Sequence, residues 1–418
     1  MKKEWLGKYR EISEKEHESV DVLTGFNANI DLIYDLEDLD LDLENVEQQH
    51  VEKVSDKVEL RKQMKHAFNN RINEEVELEY DPELGPAQER VGGQAGIMSN
   101  FLSMQQNAVI FYTPFLSEEM AEKMNEKILT PVMDGKFVLK NVKDSVSADR
   151  TKKNIIIEYE NDATHRVIFS RKMKGFGPYF RKGIEDNFDV LEENVDRAIF
   201  AGYHDIEGNM EAKMKKAKNQ LQKFGKPIHL EYVHREGTVD LILDKILPFV
   251  NSIGLDEDES KTLAEKINLE ISDDLSLGDA FRLGKELIKD NQKLERVHIH
   301  TYRFHVTVCD EDYSIDEDRI RNAMLYGELA AITTADIGEM PDADDIKDLS
   351  MENIHLHRLD DLEHFEDFFD LENFTRTGKA TVEDFKVVAI PTLIHESPEK
   401  VVGLGDIISS GAFVGELQ

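Results

Sequence analysis

Cysteine is almost missing from this sequence, with Cys309 the only one in 418 residues. An intrachain disulfide is impossible and a cysteine-rich metal centre is excluded. Next to Val306-Thr307-Val308, Cys309 reads as a small strand or core residue. Long apolar runs are also missing. None approaches the roughly 18 residues of a membrane span. The first residues, Met1-Lys2-Lys3-Glu4-Trp5, lead into more charge without an apolar signal core. The expected location is the cytoplasm, with no membrane partner. Basic side chains are in deficit: 51 Lys and Arg stand against 86 Asp and Glu, a formal charge of −35. Such a surface repels nucleic acid and anionic lipid. The acids are spread along most of the chain, which favours adaptation to high internal salt over an ordinary solvated acidic surface.

What is present is enough for a large folded core, because 40% of the residues are apolar. Residues 23–31, Leu-Thr-Gly-Phe-Asn-Ala-Asn-Ile-Asp, alternate in polarity. One strand is expected here, with Phe26, Ala28 and Ile30 buried and Asn27, Asn29 and Asp31 facing a cavity. Residues 35–89 are strongly charged and mostly helical in pattern. Gly92-Gly93-Gln94-Ala95-Gly96 opens a helix to about Met104, a buried strand follows at 108–112, and a helix is expected over 118–129. Between 135 and 170 the pattern turns to strands, with a polar turn at Glu160-Asn161-Asp162. Short strands at 198–202, 227–231, 252–255 and 297–300 then alternate with helices. That alternation argues for an α/β fold with a mainly parallel sheet covered on both faces. The 135–170 hairpin forms a separate, smaller sheet.

Near the end stands Val401-Val402-Gly403-Leu404-Gly405-Asp406-Ile407-Ile408-Ser409. Glycines let the backbone approach an anion and adopt positive φ, and the first turn of a following helix offers unpaired amides. The amides of Asp406 and Ile407 are expected to line that anion site. An aspartate there can take a proton from an attacking hydroxyl, the chemistry of a kinase acting on a small alcohol. The ordinary alternative for Asp406 is a helix cap.

Gly403-Leu404-Gly405-Asp406 resembles the C-terminal G-x-G-D signature of ribokinase-like kinases. Gly25-Phe26-Asn27-Ala28-Asn29-Ile30-Asp31, Gly92-Gly93-Gln94-Ala95-Gly96, His229-Leu230-Glu231 and His300-Thr301-Tyr302 stand in the same order as in the archaeal ADP-dependent phosphofructokinases and glucokinases. The resemblance covers nearly the whole chain. It implies a ribokinase-like large domain (1–33, 86–139 and 183–418) and a smaller α+β lid (34–85 and 140–182). It implies Asp406 as catalytic base, with Gly403 and Gly405 cradling the transferred phosphoryl group. Asn27, Asn29, Asp31, Gly92, Gly93 and Gln94 would bind the sugar. Glu231 and Glu259 would hold the water shell of Mg2+ with Asp406 nearby, and Asp256 stands where the family has asparagine. His300, Thr301, Ile390, Val402 and Val401 would lie along the nucleotide.

The acceptor is read from charge. Arg171 and Lys172, with Lys152 and Lys153, make a basic cluster on the expected lid, which suits the phosphate of fructose 6-phosphate. Glu75 lies where family glucokinases carry a sugar-facing glutamate, although surface glutamates on a helix are the ordinary reading. The expected reaction moves the β-phosphoryl group of Mg·ADP to fructose 6-phosphate, giving AMP, with glucose a possible second acceptor. A glucokinase, an ATP-dependent kinase of the ribokinase type and a silent sugar- or nucleotide-binding protein remain alternatives. A monomer or weak oligomer is expected.

Overall fold

Short β-branched and aromatic runs separated by helices build the larger of two main sheets. The computed structural model describes residues 1–161, 164–398 and 402–418. Among these, eleven strands lie in the order Lys379–Val382, Phe385–Pro391, Phe304–Asp310, Arg296–His300, Ser252–Leu255, Ile228–Glu231, Arg197–Phe200, Asp21–Gly25, Ala108–Tyr112, Leu129–Asp134 and Lys136–Asn141. The block from Arg296–His300 to Leu129–Asp134 pairs in parallel. Antiparallel strands flank it on both sides. Every residue of Arg197–Phe200 and Ile228–Glu231 is buried, as a parallel sheet covered on both faces requires. The helix Leu404–Gly415 packs against these strands, with Phe413 stacked on His229 at a ring separation of 4.9 Å.

The second sheet has six strands, in the order Lys53–Val54, Glu74–Leu78, Thr164–Ser170, Lys153–Glu160, Asn29–Asp35 and Gln88–Gly92. Alternation divides its faces. Val76, Ile155, Ile157, Val167 and Phe169 pack under Leu60, Met64 and Ala67 of the helix Lys57–Asn70, forming a core of their own. Glu75, Asn154, Ile156 and Ile168 face the other way, into a cleft.

Several expectations change. The strand expected over 23–31 is two strands in two different sheets: the chain leaves the large sheet at Gly25 and enters the small one at Asn29. Continuous alternation in the sequence conceals this crossing. Residues 35–89 contain one long helix, and Asn73-Glu74-Glu75 leads into a strand rather than lying on a helix. The helix expected over 118–129 stops at Lys123. The small sheet takes residues 29–33 and 88–92 from the segments assigned to the large domain. Conversely, Phe176 and Phe180, assigned to the lid, are buried in the large core. Of the expected turn at 160–162, Asp162 lies outside the described residues, as does Val401 of the expected nucleotide wall.

Candidate active site

Parallel strands gather their following loops at one sheet edge, where α/β folds bind ligands. Here Asp21–Gly25 ends just before Asn27, and Arg197–Phe200 just before His204 and Asp205. Ile228–Glu231 ends on Glu231 itself, and Ser252–Leu255 leads into Asp256. Across from this edge stands the polar face of the small sheet. A cavity of about 180 Å³ lies between them, lined by Asn27, Asn29, Asp31, Glu75, Gly93 and Gln94 together with Val402, Gly403 and Asp406. Residues far apart in sequence, expected to serve one reaction, thus share one cleft.

On the large-sheet side, Gly403 begins the helix Leu404–Gly415 with φ 78. A Cβ there would come within 2.9 Å of Ile97 Cδ1, so both backbone angle and space favour glycine. The Ile407 amide donates to Gly403 O at 3.3 Å. Ile407 is therefore engaged inside the helix, contrary to its expected place in the anion site, and ahead of it in the first turn the amides of Leu404 and Gly405 have no hydrogen-bond partner among the described residues. Asp406 stands in that first turn and is not the cap residue. The helix dipole favours a carboxylate there.

On the opposite side, Asn29 Nδ2 donates to Asp31 Oδ1 at 2.6 Å, and Asn27 Nδ2 donates to Gln94 Oε1 at 2.5 Å. Gly92 pairs with Asn29 across the sheet, and a side chain at Gly92 would overlap the Asp31 carboxylate. Asparagine and carboxylate groups held this way offer both donors and acceptors to sugar hydroxyls.

Four carboxylates gather beside the glycine turn. Glu231 is held by Ser409 Oγ at 2.5 Å and His229 Nε2 at 3.1 Å. Burial raises its pKa well above the ordinary glutamate value, and the charges of Asp406 and Asp256 raise it further. Glu259 is likewise pushed well up by burial, then by Asp256. Asp256 itself is raised, chiefly by burial. Asp256 and Glu259 also form a capping box: Asp256 Oδ1 accepts from Glu259 N at 2.8 Å and Glu259 Oε2 accepts from Asp256 N at 2.9 Å. Crowded carboxylates that resist ionisation fit a divalent cation, which would relieve their repulsion. Their oxygens do not converge to a direct three-ligand set among the described residues.

The expected nucleotide residues divide. Val402 lines the cleft. His300 lies beneath the turn, so that a Cβ on Gly405 would meet its Nε2 at 2.7 Å. Burial, then His305, pushes His300 down to about 3 and keeps it neutral. Thr301 Oγ1 donates to Phe304 O at 2.8 Å and accepts from Arg303 N and Phe304 N, so its hydroxyl is engaged in its own turn. Ile390 is fully buried in the strand Phe385–Pro391 and belongs to the core, not to a ligand wall.

Arg171 and Lys172 do not line the cleft. Arg171 pairs with Asp81 and donates to Tyr80 O at 3.0 Å, while Lys172 pairs with Glu77 at 2.7 Å. Both border an adjacent basic cavity of about 650 Å³, with Arg150 and Lys174. Lys152 lines both cavities and pairs with Asp205 at 2.7 Å. Burial works to raise the Asp205 carboxyl, yet Lys152, His204 and Arg235 hold it down at about 2. Sequence reasoning put Lys152 in the basic cluster but missed its position between the cavities, and it missed His204, Asp205 and Asn154 altogether. The available signal was Gly202, which follows a short buried strand and precedes three polar or aromatic residues.

The conserved region of ADP-specific phosphofructokinases and glucokinases matches residues 20–415 of this chain. The ADP-specific phosphofructokinase of Pyrococcus furiosus is 26% identical over 446 residues, spanning 95% of this chain and 96% of that protein. The ADP-dependent glucose/glucosamine kinase of the same organism is 25% identical, spanning 99% and 98%. The solved structure of the last common ancestor of ADP-dependent phosphofructokinases from Methanosarcinales superposes with a TM-score of 0.82 at 25% identity, covering 100% of this chain and 98% of that one. An ADP-dependent kinase in complex with fructose-6-phosphate and ADPβS superposes with a TM-score of 0.84 at 24% identity, covering 100% and 97%. The α/β architecture and the glycine turn thus have the same explanation: the chain belongs to the ADP-specific phosphofructokinase/glucokinase family of kinases.

Proposed function

We propose that this protein transfers the β-phosphoryl group of Mg·ADP to the free primary hydroxyl of fructose 6-phosphate, giving fructose 1,6-bisphosphate and AMP, and that glucose is a second acceptor. The observation that carries this reading is Asp406: it lines the same cavity as Asn29, Asp31 and Glu75, in the first turn of a helix begun by glycine. Asn27, Asn29, Asp31 and Gln94 orient the sugar. Asp406 takes the hydroxyl proton as the sugar oxygen bonds to the β-phosphorus. The bridging oxygen leaves with AMP. Gly403, Leu404 and Gly405 bring backbone amides to the transferred group. A bound Mg2+ supplies charge neutralisation at the phosphates. Glu231, Asp256 and Glu259 are the residues that would hold it.

Lys152 supports the sugar phosphate, because it joins the polar cleft to the cavity bordered by Arg150, Arg171, Lys172 and Lys174. Glu75 supports glucose, since its carboxylate borders the cleft. The six-stranded sheet acts as a lid that closes over the sugar and excludes water. ADP as donor is supported by the similarity to an ADP-specific phosphofructokinase and an ADP-dependent glucose/glucosamine kinase. Assays with fructose 6-phosphate and glucose, each with ADP and ATP, at low and high KCl test the reading. AMP formed with fructose 6-phosphate and ADP is expected. Turnover with ATP alone, or none with either donor, overturns it.

A further inference from the structure

A second cluster of ligand-type side chains lies on the far face of the small sheet, away from the cleft. Glu74 begins the strand Glu74–Leu78 and shares the helix-covered face with Val76 and Leu78, whereas Glu75 points into the cleft. His66 comes from the helix Lys57–Asn70, and His50 from the segment before the strand Lys53–Val54. His50 Nδ1 is 3.1 Å and His66 Nε2 4.0 Å from the same Glu74 oxygen, and one ligand atom from each residue lies within 4.8 Å of the other two. A tetrahedral cation with bonds of about 2.0–2.2 Å spaces its ligands about 3.4 Å apart. The observed separations bracket that value.

The carboxylate and one histidine are oriented from behind. Gln63 is fully buried; its Nε2 donates to Glu74 Oε2 and its Oε1 accepts from Val51 N at 2.8 Å. One side chain thus fixes both the glutamate and the backbone next to His50, as outer partners of metal ligands do. Asn70 Nδ2 donates to His66 O at 2.8 Å and lies 3.2 Å from His66 Nδ1, so it packs beside the imidazole from its own helix. His50 is 53% exposed, so a fourth position faces solvent.

We propose that His50, His66 and Glu74 form a binding site for a divalent transition metal of the Zn2+ class. Two imidazoles and one carboxylate suit such an ion and do not suit Mg2+ or Ca2+. The ion pins the exposed segment 44–50 to the helix and to the strand that carries Glu75 on its opposite face. This site is independent of the phosphoryl-transfer reading.

Titration with Zn2+ tests it, using chelator-stripped full-length protein in excess Mg2+ with a chromophoric competitor. One tight equivalent is expected. Loss of a ligand in His66→Ala or Glu74→Gln weakens it by more than about 100-fold, and His50→Ala by more than about tenfold. Co2+ in the same site gives visible absorption that these variants lose. Zn2+ slows trypsin cleavage after Lys53 in the wild type and not in His50→Ala, whose turnover with Mg2+ is unchanged. No tight equivalent in the wild type, or unchanged Zn2+ affinity in His50→Ala, overturns the proposal. His50 is exposed and in no helix or strand, so its variant remains decisive if the others fail to fold.

Discussion

On the large-sheet side of the cleft, Glu231 is 5% exposed and held by a serine and a histidine, and the neighbouring turn begins at Gly403, which has no side chain. On the small-sheet side, Glu75, Asn154 and Lys152 project from strand faces or their margins, and Arg171 and Lys172 form partly exposed ion pairs. The first wall derives its properties from elements packed into the main core. The second derives much of its character from strand faces, where alternation turns neighbouring side chains to opposite sides. On the proposed function, chemistry that every acceptor needs falls to the first wall and discrimination between acceptors to the second.

The sharpest way to break that division is at Asp406. Asp406→Asn keeps the shape of the side chain and removes the carboxylate proposed as base, so kcat should fall by about 1,000-fold with either sugar. KM and the thermal midpoint should change little. A loss confined to one acceptor would show that Asp406 belongs to recognition, not to shared chemistry.

The opposite wall should give the opposite pattern. A charge-assisted contact to phosphate contributes about 1.5–3 kcal/mol. Lys152→Met should therefore raise KM for fructose 6-phosphate by about 10–100-fold and leave KM for glucose nearly unchanged. Glu75→Gln should lower kcat/KM for glucose by about tenfold and spare fructose 6-phosphate. Initial-rate kinetics with both sugars decide between this crossed result and a uniform loss, and a uniform loss would merge the two walls.

Much of this site was legible in the sequence, and the limits follow from physics. Gly403, Gly405 and Asp406 are readable because a glycine turn before a helix leaves few alternatives for an adjacent aspartate. Asp31 and Gln94 are readable from their motifs. The crossing between sheets at residues 26–28 was not, because alternation of period two continues across it. Ile390 was mistaken for a ligand wall, since an apolar strand looks the same in sequence whether it borders a core or an adenine. Lys152 and Asp205 meet only through tertiary folding, 53 residues apart, so neither alone signals a site. The paired cations Arg171 and Lys172 were visible as charge, but their partners Asp81 and Glu77 were not.

A smaller effect concerns the joint between the walls. Asp205, held at about 2 against an ordinary 3.8, contributes stability present above about pH 4 and lost as pH falls toward 2. The shift corresponds to about 2 kcal/mol. Asp205→Asn should lose that much at pH 7, and its deficit relative to wild type should narrow steadily below pH 4. Denaturant unfolding at pH 7 and pH 3 measures both. A deficit independent of pH would mean that packing, not the Lys152–Asp205 pair, joins the walls.

The smallest effect is expected at Asp256, where asparagine is the conservative replacement. Asp256 Oδ1 caps its helix by accepting from the Glu259 amide. Asparagine offers a carbonyl oxygen at the same position and caps about as well as aspartate. Asp256→Asn should therefore change stability by less than about 0.5 kcal/mol, whereas Asp256→Ala should cost about 1 kcal/mol. Charge is the other term. Removing one of the crowded carboxylates lowers the repulsion that burdens Glu231 and Glu259, but it also weakens the attraction for a divalent cation, so the two changes oppose each other. The net result should be a kcat within about threefold of wild type at saturating Mg2+ and a higher Mg2+ concentration needed to reach it. If Asp256→Asn instead abolished turnover while the helix remained capped, Asp256 would be a direct ligand, and the large-sheet wall would rest on one carboxylate more than its geometry indicates.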